Sequence, residues 1–252
     1  MNKVAILVDG GFYRRRAQML YGEKTAQERL NELMKYCQKH VLDDRDHQYY
    51  SLYRIFYYDC PPMSKKVYHP LLSRTVDFSK SSLYEWMSEF LDGLKGRRKV
   101  ALRLGLLADA QACYTLRPDA VKQLCSGKLR PEDLEERHFT LDVKQKGVDM
   151  KIGVDIASLA YKQQVDKIVL ISGDSDFVPA AKLARREGID FVLDPMWIDI
   201  KPELFEHIDG IHTFEPRPGS KLDSNTSANR ASRPVLHQRQ LSGRKQKRTR
   251  DE

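Results

Sequence analysis

The chain has 252 residues, of which 41% are hydrophobic and 31% charged, and a formal net charge of +8. This length allows one α/β domain with a sizeable core plus a tail. No window approaches the roughly 18 consecutive apolar residues of a membrane span, and the N-terminus lacks a signal-peptide layout, so we expect a soluble, cytoplasmic protein with no membrane partner. The four cysteines form no CxxC pair and have no histidine at ligand spacing, which predicts reduced thiols rather than a zinc site.

The first half of the chain opens with a predicted strand. The apolar run VAILVD at residues 4–9 is typical of a strand buried on both faces, in the middle of a parallel sheet. Residues 12–41 are compatible with two helices that separate near Gly22. A second strand is predicted at residues 52–59, where aromatic and β-branched residues precede CPP.

Between residues 61 and 146 the signals are weaker. We predict a helix at residues 82–93 and strands in KVALRLGLL and HFTLDV, and we interpret this stretch as the family-specific part of the domain.

The second half alternates helices and strands. Residues 148–163 have apolar side chains at helical spacing, and the strand KIVLIS follows. Residues 176–187 then predict a helix ended by Gly188, before the strand IDFVLD. This alternation favours right-handed crossovers and a doubly wound α/β sheet.

The last 37 residues form a separate compositional segment. Residues 216–252 hold ten Lys and Arg against three Asp and Glu, so nearly all of the net charge lies there. Few large apolar side chains are present to offset the entropy of ordering. We therefore predict a domain at residues 1–215 and a disordered basic tail at residues 216–252. Such a tail favours contact with a nucleic-acid backbone, with a solubilising role as the alternative.

Aspartates follow the two most strand-like runs. Asp9 ends AILVD, and Asp174 follows KIVLIS after one glycine. In an open parallel sheet ligands bind outside the carboxyl ends of the strands, so these carboxylates would converge if the strands are neighbours. Close carboxylates favour a hard divalent cation, Mg²⁺ or Mn²⁺.

Three further aspartates extend this pattern. Asp155 lies on the apolar stripe of the helix at residues 148–163, where an unpaired charge is costly, so a polar partner is expected. Asp149 lies one turn earlier, and Asp176 follows Asp174. Helix capping by Asp149, Asp174, Ser175 or Asp176 is the structural alternative for these residues.

Four stretches carry a resemblance to a known family: AILVDGGFY, FYYDCPP, KQKGVDMKIGVDI and VLISGDSDFVPAAKLARREG. In this order they resemble NYN domains of the LabA-like branch of the PIN-like nucleases. The resemblance implies a PIN-like three-layer α/β/α sandwich and metal-dependent hydrolysis of RNA. It also implies Asp9, Asp149 and Asp174 as catalytic metal ligands, with Asp155 and Asp176 extending the metal site. Gly11 and Phe12 stand where the family often has Asn.

Basic residues near these aspartates are candidates for binding RNA. Arg14, Arg15 and Arg16 follow Asp9 on the first turn of a predicted helix, and Lys146 and Lys151 flank Asp149. Tyr57 and Tyr58 have the chemistry to stack on a base, although tyrosines in strands are more often packing residues.

Two other functions are weighed against the ribonuclease. A phosphatase of the haloacid dehalogenase type is disfavoured because its second aspartate is replaced by Gly11. A non-catalytic regulator that binds RNA or protein on the same fold remains the main alternative. The sequence leaves the RNA target and the presence of a homo-oligomer or protein partner open.

Overall fold

The computed structural model describes residues 1–42 and 49–214. Along the chain the elements are β1 (Asn2–Asp9), α1 (Gly10–Tyr21), α2 (Ala26–Val41), β2 (Tyr50–Asp59), β3 (Lys66–His69), β4 (Arg74–Asp77), α3 (Ser82–Lys95), β5 (Val100–Leu104), β6 (Leu106–Leu107), β7 (Cys113–Leu116), α4 (Pro118–Cys125), β8 (Phe139–Asp142), β9 (Gln145–Lys146), α5 (Val148–Tyr161), β10 (Lys167–Ile171), α6 (Val178–Arg186), β11 (Asp190–Asp194), α7 (Pro202–Phe205) and β12 (Gly210–Ile211). The predicted tail at residues 216–252 lies outside the described residues.

Within the described residues, six strands form one sheet in the order β12-β11-β10-β1-β2-β5. All of its strand pairings are parallel. The predicted central strand β1 lies between β10 and β2, with Ile6 opposite both Val169 and Ile55. The carboxyl ends of β10, β1 and β2 therefore meet at one edge of the sheet.

Helices cover both faces of this sheet. Val4, Ile6 and Val8 of β1 pack in a core with α1, α2 and α3. The alternate residues Ala5 and Leu7 pack in a second core with α5 and α6. Burial on both faces explains why β1 is a continuous apolar run rather than an alternating one. The predicted three-layer α/β/α arrangement is confirmed.

Local signals set the helix boundaries at the start of the chain. The carboxylate of Asp9 accepts the Phe12 N–H and caps α1. The helix ends at Gly22, whose φ is 74°, and Thr25 begins α2 with a capping box to Glu28. The predicted break near Gly22 is confirmed, because glycine adopts this positive φ without a steric penalty.

Residues 61–146 contain small antiparallel pairs that the sequence did not predict. β3 pairs with β4, β7 with β8, and β6 with β9. The predicted strand KVALRLGLL divides at Gly105, so that β5 joins the main sheet while β6 pairs elsewhere. HFTLDV contains β8, which pairs with β7 rather than with the main sheet.

The four cysteines lie among the described residues and are all free thiols. No helix in residues 1–42 or 49–214 combines the length and apolar character that a membrane crossing requires.

Candidate functional site

Asp9 and Asp174 lie at the carboxyl edge of neighbouring strands. Asp9 is the last residue of β1, and Asp174 follows the end of β10 by three residues. Because β1 and β10 pair in parallel, with Val8 opposite Ile171, the two carboxylates are at the same edge of the sheet. This is the convergence that the sequence predicted.

Ser172 connects the two acidic positions. Its buried hydroxyl donates to Asp9 Oδ2 over 3.3 Å, and its Oγ accepts the N–H of Asp174 over 3.3 Å. Gly173 lets this turn approach α1, since a Cβ there would lie 2.9 Å from Cε2 of Phe12. A single serine thus orients both the first carboxylate and the backbone that carries the second.

The surroundings of Asp9 raise the pKa of its carboxyl group. Burial raises the pKa of Asp9, the hydrogen bond from the Phe12 N–H partly lowers it, and the charge of Asp149 raises it again. The charge of Arg15 lowers the pKa of Asp9, but within the described part of the chain Arg15 makes no hydrogen bond to it. The neighbouring positive charge does not offset the cost of ionising Asp9.

Asp149 lies in the first turn of α5 and faces the same edge. Its side chain is exposed, yet partial burial of the carboxyl and then the charges of Asp174 and Asp176 raise its pKa. The charge of Asp149 also raises the pKa of Asp9, so Asp149 lies within electrostatic reach of Asp9, Asp174 and Asp176.

Asp174 itself caps the turn that follows it. Its Oδ1 accepts the Asp176 N–H over 3.0 Å at the start of a short 3₁₀ segment, Ser175–Phe177. Asp174 is one of the capping candidates that the sequence gave as the structural alternative, together with Ser175 and Asp176. A carboxylate has about four acceptor positions, so capping leaves Asp174 able to bind a cation as well.

Asp155 is held apart from these residues by its own partners. Tyr58 donates its hydroxyl to Asp155 Oδ2 over 2.9 Å, and Arg103 Nε donates to the same oxygen over 3.0 Å. The predicted polar partner is therefore present, and it explains why an aspartate occurs on the buried stripe of α5. The hydrogen bonds of Asp155 go to Tyr58 and Arg103 and not to the groups around Asp9 and Asp174, so its extension of the metal site stays a prediction.

A sixth carboxylate, Asp59, was missed by the sequence analysis. It ends β2, its side chain is 1% exposed, and Arg14 binds it in a bidentate pair of 3.0 and 3.1 Å. The Cys60 N–H and the Tyr57 hydroxyl donate to it as well. The signal was available in FYYDCPP, which places an aspartate at the end of the predicted second strand, β2.

The three arginines after Asp9 have different environments. Arg14 is occupied by Asp59, and Arg16 donates from Nε and Nη2 to the carbonyl oxygen of Met196. Arg15 is exposed on α1 beside Asp9. Of the three, Arg15 is the one whose guanidinium makes no hydrogen bond to protein among the described residues.

The other predicted RNA-binding residues are exposed, whereas the two tyrosines are not. Lys146 lies in β9 and Lys151 in the first turn of α5. Tyr57 and Tyr58 are fully buried, so they pack in the core and are not available to stack on a base.

Asp194 at the end of β11 is a second carboxylate that sequence analysis missed. It is fully buried and binds the Tyr36 hydroxyl at 2.5 Å, His40 Nε2 at 2.8 Å and the Thr213 hydroxyl at 2.7 Å. Its partners come from residues about 150 positions earlier and from just after β12, so no local pattern reveals them.

The carboxylates do not form a complete cage. Across residues 1–42 and 49–214, no group of three or more His, Cys, Asp or Glu side chains is close enough to hold a metal ion by itself. The edge therefore offers one or two carboxylates at a time.

Comparison with known proteins gives a family match. The NYN domain model matches residues 103–196, which include Asp149, Asp155, Asp174 and Asp176 but not Asp9. No curated protein matches the chain. Among solved structures, a Vibrio parahaemolyticus protein of unknown function is similar at 15% identity and a TM-score of 0.42, covering 83% of this chain and 91% of that one. The LabA-like assignment stays a prediction. Residues 103–196 of the chain are thus similar to an NYN domain.

Proposed function

We propose that this protein is a metal-dependent ribonuclease that hydrolyses RNA phosphodiester bonds at the edge formed by Asp9, Asp149 and Asp174. The observation that carries the proposal is the Ser172 link, which joins acidic positions on two adjacent parallel strands. The family match supports a nuclease in general terms. The metal, the RNA substrate and the role of each aspartate are our inferences.

The residues fit a hard divalent cation. Asp59 and Asp194 are buried but have partners that donate to them. By contrast, burial and the charge of Asp149 raise the pKa of Asp9, and burial and the charges of Asp174 and Asp176 raise the pKa of Asp149. Mg²⁺ commonly keeps several waters and binds through one or two carboxylates plus substrate phosphates, so an incomplete cage suits it. Mn²⁺ accepts the same oxygen ligands.

When bound, such a cation supplies a Lewis acid that lowers the pKa of water and stabilises charge on the transferring phosphate. The side chains of the protein would hold and orient the reacting groups. Phe12 N–H and Ser172 fix the two oxygens of Asp9, and the Asp176 N–H fixes Asp174. Arg15 would attract the phosphate backbone towards this acidic edge.

The test uses the purified full chain with single-stranded and structured RNA in Mn²⁺, Mg²⁺ or EDTA. Asp9→Asn and Asp174→Asn should each abolish cleavage while the fold is retained, because asparagine also caps helices. The matched control is Asp92→Asn, which removes an exposed carboxylate on α3 paired with Lys95. We expect this control to cleave as the wild type does.

Cleavage that continues in EDTA, or that survives both site substitutions, would refute the proposal. RNA binding without cleavage in every metal would instead favour the non-catalytic regulator.

A further inference from the structure

The turn that follows β11 has an unusual backbone. Ile198 N–H donates to the Pro195 carbonyl over 2.9 Å, and the two residues between them, Met196 and Trp197, have φ values of 44° and 66°. Two consecutive positive φ values are the mark of a type I′ turn, which strongly favours Gly, Asn or Asp. A methionine and a tryptophan in these positions cost conformational free energy, so the surrounding contacts must hold them there.

Those contacts fix the turn at Met196. Its side chain is fully buried, its N–H donates to Asp194 Oδ1 over 2.9 Å, and the Arg16 guanidinium donates twice to its carbonyl oxygen. Asp194 is in turn held by the buried network described above. With Met196 anchored, the strained backbone places Trp197 on the outside, where 36% of the residue is exposed.

The turn adjoins the acidic edge. β11 pairs in parallel with β10, with Asp194 opposite Ile171, and the Ser172 N–H donates to the Asp194 carbonyl over 3.2 Å. Lys201 Nζ donates to Ser175 Oγ over 3.0 Å and so ties the same loop to the residue after Asp174. Asp174 thus follows Ile171 by three residues, and Trp197 follows Asp194, the strand partner of Ile171, by the same number.

The chemistry around Trp197 suits an unpaired base. Ile198, the next residue in the chain, is also exposed, and Arg16, which binds the Met196 carbonyl, contacts the exposed Met19. Positive charge is present near the aspartates as well, because Arg15 acts electrostatically on Asp9 and Lys201 donates to Ser175. Proteins that bind single-stranded nucleic acid combine two elements: aromatic side chains on which bases stack, and positive side chains that follow the phosphate backbone.

We propose that Trp197 is a stacking platform for a base of single-stranded RNA whose backbone passes Asp9 and Asp174. This inference rests on the proposed function, since it names the form of the substrate for the same site. A duplex has no free base face to offer, so the platform selects unpaired nucleotides.

The first experiment observes Trp197 directly. The chain contains two tryptophans, and the other, Trp86, is stacked on Phe90 and donates to the Lys24 carbonyl. In a Trp86→Phe, Asp174→Asn full chain with Mg²⁺, fluorescence reports Trp197 alone and RNA is not consumed. We expect saturable quenching by a single-stranded oligonucleotide and much weaker quenching by the same sequence as a duplex.

The second experiment measures affinity by anisotropy of a labelled single strand. Trp197→Ala should weaken binding by about 5- to 150-fold, and Trp197→Tyr should restore most of it. Trp197→Asn should lose affinity without losing thermal stability, because asparagine tolerates positive φ. Tyr161→Ala is the matched control, since Tyr161 is 62% exposed at the end of α5 and should have no effect.

The inference is overturned if Trp197→Ala binds within twofold of the wild type, if duplex quenches equally, or if Trp197→Ala converts a dimer to a monomer without changing RNA affinity. Metal-dependent cleavage with an unchanged KM in Trp197→Ala would refute the platform and leave the proposed function intact. Loss of binding in Trp197→Ala, with no cleavage by the wild type in any metal, would support the platform and refute the proposed ribonuclease activity.

Discussion

Removing Arg14 should destabilise the fold rather than merely weaken RNA binding. Asp59 is 1% exposed, and Arg14, at 23%, supplies the cation that pairs with it. Removing one partner of a buried ion pair costs about 3–5 kcal/mol because the remaining charge stays desolvated. Since Arg14 is partly exposed and the Cys60 N–H and Tyr57 hydroxyl still donate to Asp59, we take the lower end, about 3 kcal/mol.

For a protein of this size, about 3 kcal/mol corresponds to a fall in Tm of roughly 6–12 °C. Arg14→Met keeps the aliphatic stem and removes the charge, and Arg15→Met makes the same change at an exposed neighbouring position. Arg15→Met should alter stability by no more than about 0.5 kcal/mol. Thermal and urea unfolding in EDTA at pH 7, followed by circular dichroism, measure both variants without a contribution from bound metal.

A double-mutant cycle tests the cause of the loss. In the Arg14→Met background, Asp59→Asn removes the uncompensated charge, so it should cost less than it does in the wild type. A Tm for Arg14→Met within about 2 °C of the wild type, or an equal loss for Arg15→Met, would show that the ion pair does not support the fold as we infer.

Three further predictions concern the same edge and the tail. The pKa of Asp149 is raised from its usual 3.8, so the folded state holds that proton more tightly and stability falls as pH rises through the raised pKa. In EDTA at pH 7, Asp149→Asn should therefore match or exceed the wild type in Tm, whereas Asp155→Asn should lower the Tm because it breaks the contacts with Arg103 and Tyr58. The opposite order of Tm values would contradict this assignment. Gly10→Ala should lower the free energy of unfolding by about 1–3 kcal/mol, because the added Cβ would lie 2.6 Å from Asp59 Oδ2. Gly11→Ala is the control, since its Cβ would lie 3.6 Å from Asp9 Oδ1, and urea unfolding should show a smaller loss of stability for it. Truncation after Glu215 should weaken RNA affinity and flatten its salt dependence in binding titrations, and unchanged affinity would refute a role for the tail.

The sequence predicted the parts of the fold that depend on local pattern. The continuous apolar run of β1 predicted its central position, and the helical spacing of Ile152, Ile156 and Leu159 predicted α5. The antiparallel pairs between residues 61 and 146 were missed because they are short and join distant residues, as when Cys113 in β7 lies opposite Asp142 in β8. Short strands of this kind carry too few residues for a period to be recognised.

The candidate site shows the same division. The positions of Asp9 and Asp174 at strand ends could be predicted, because parallel strands present their carboxyl ends at one edge. The partners of Asp155 and Asp59 could not, since Arg103 and Arg14 are 52 and 45 residues away in the chain. Which of the arginines after Asp9 bind protein groups is decided only by tertiary contacts.

Four adjacent strands, β11, β10, β1 and β2, have an aspartate at or just beyond their carboxyl ends, but the outer and inner members of this row are treated differently. Outer Asp194 and Asp59 are already satisfied by donors from the protein, whereas inner Asp174 and Asp9 have no arginine, lysine or histidine bonded to them among the described residues. A cation that approached this row would meet end carboxylates that already bind protein donors and central carboxylates that no cationic side chain occupies. The consequence would be a single preferred position for a cation, at the centre of the row.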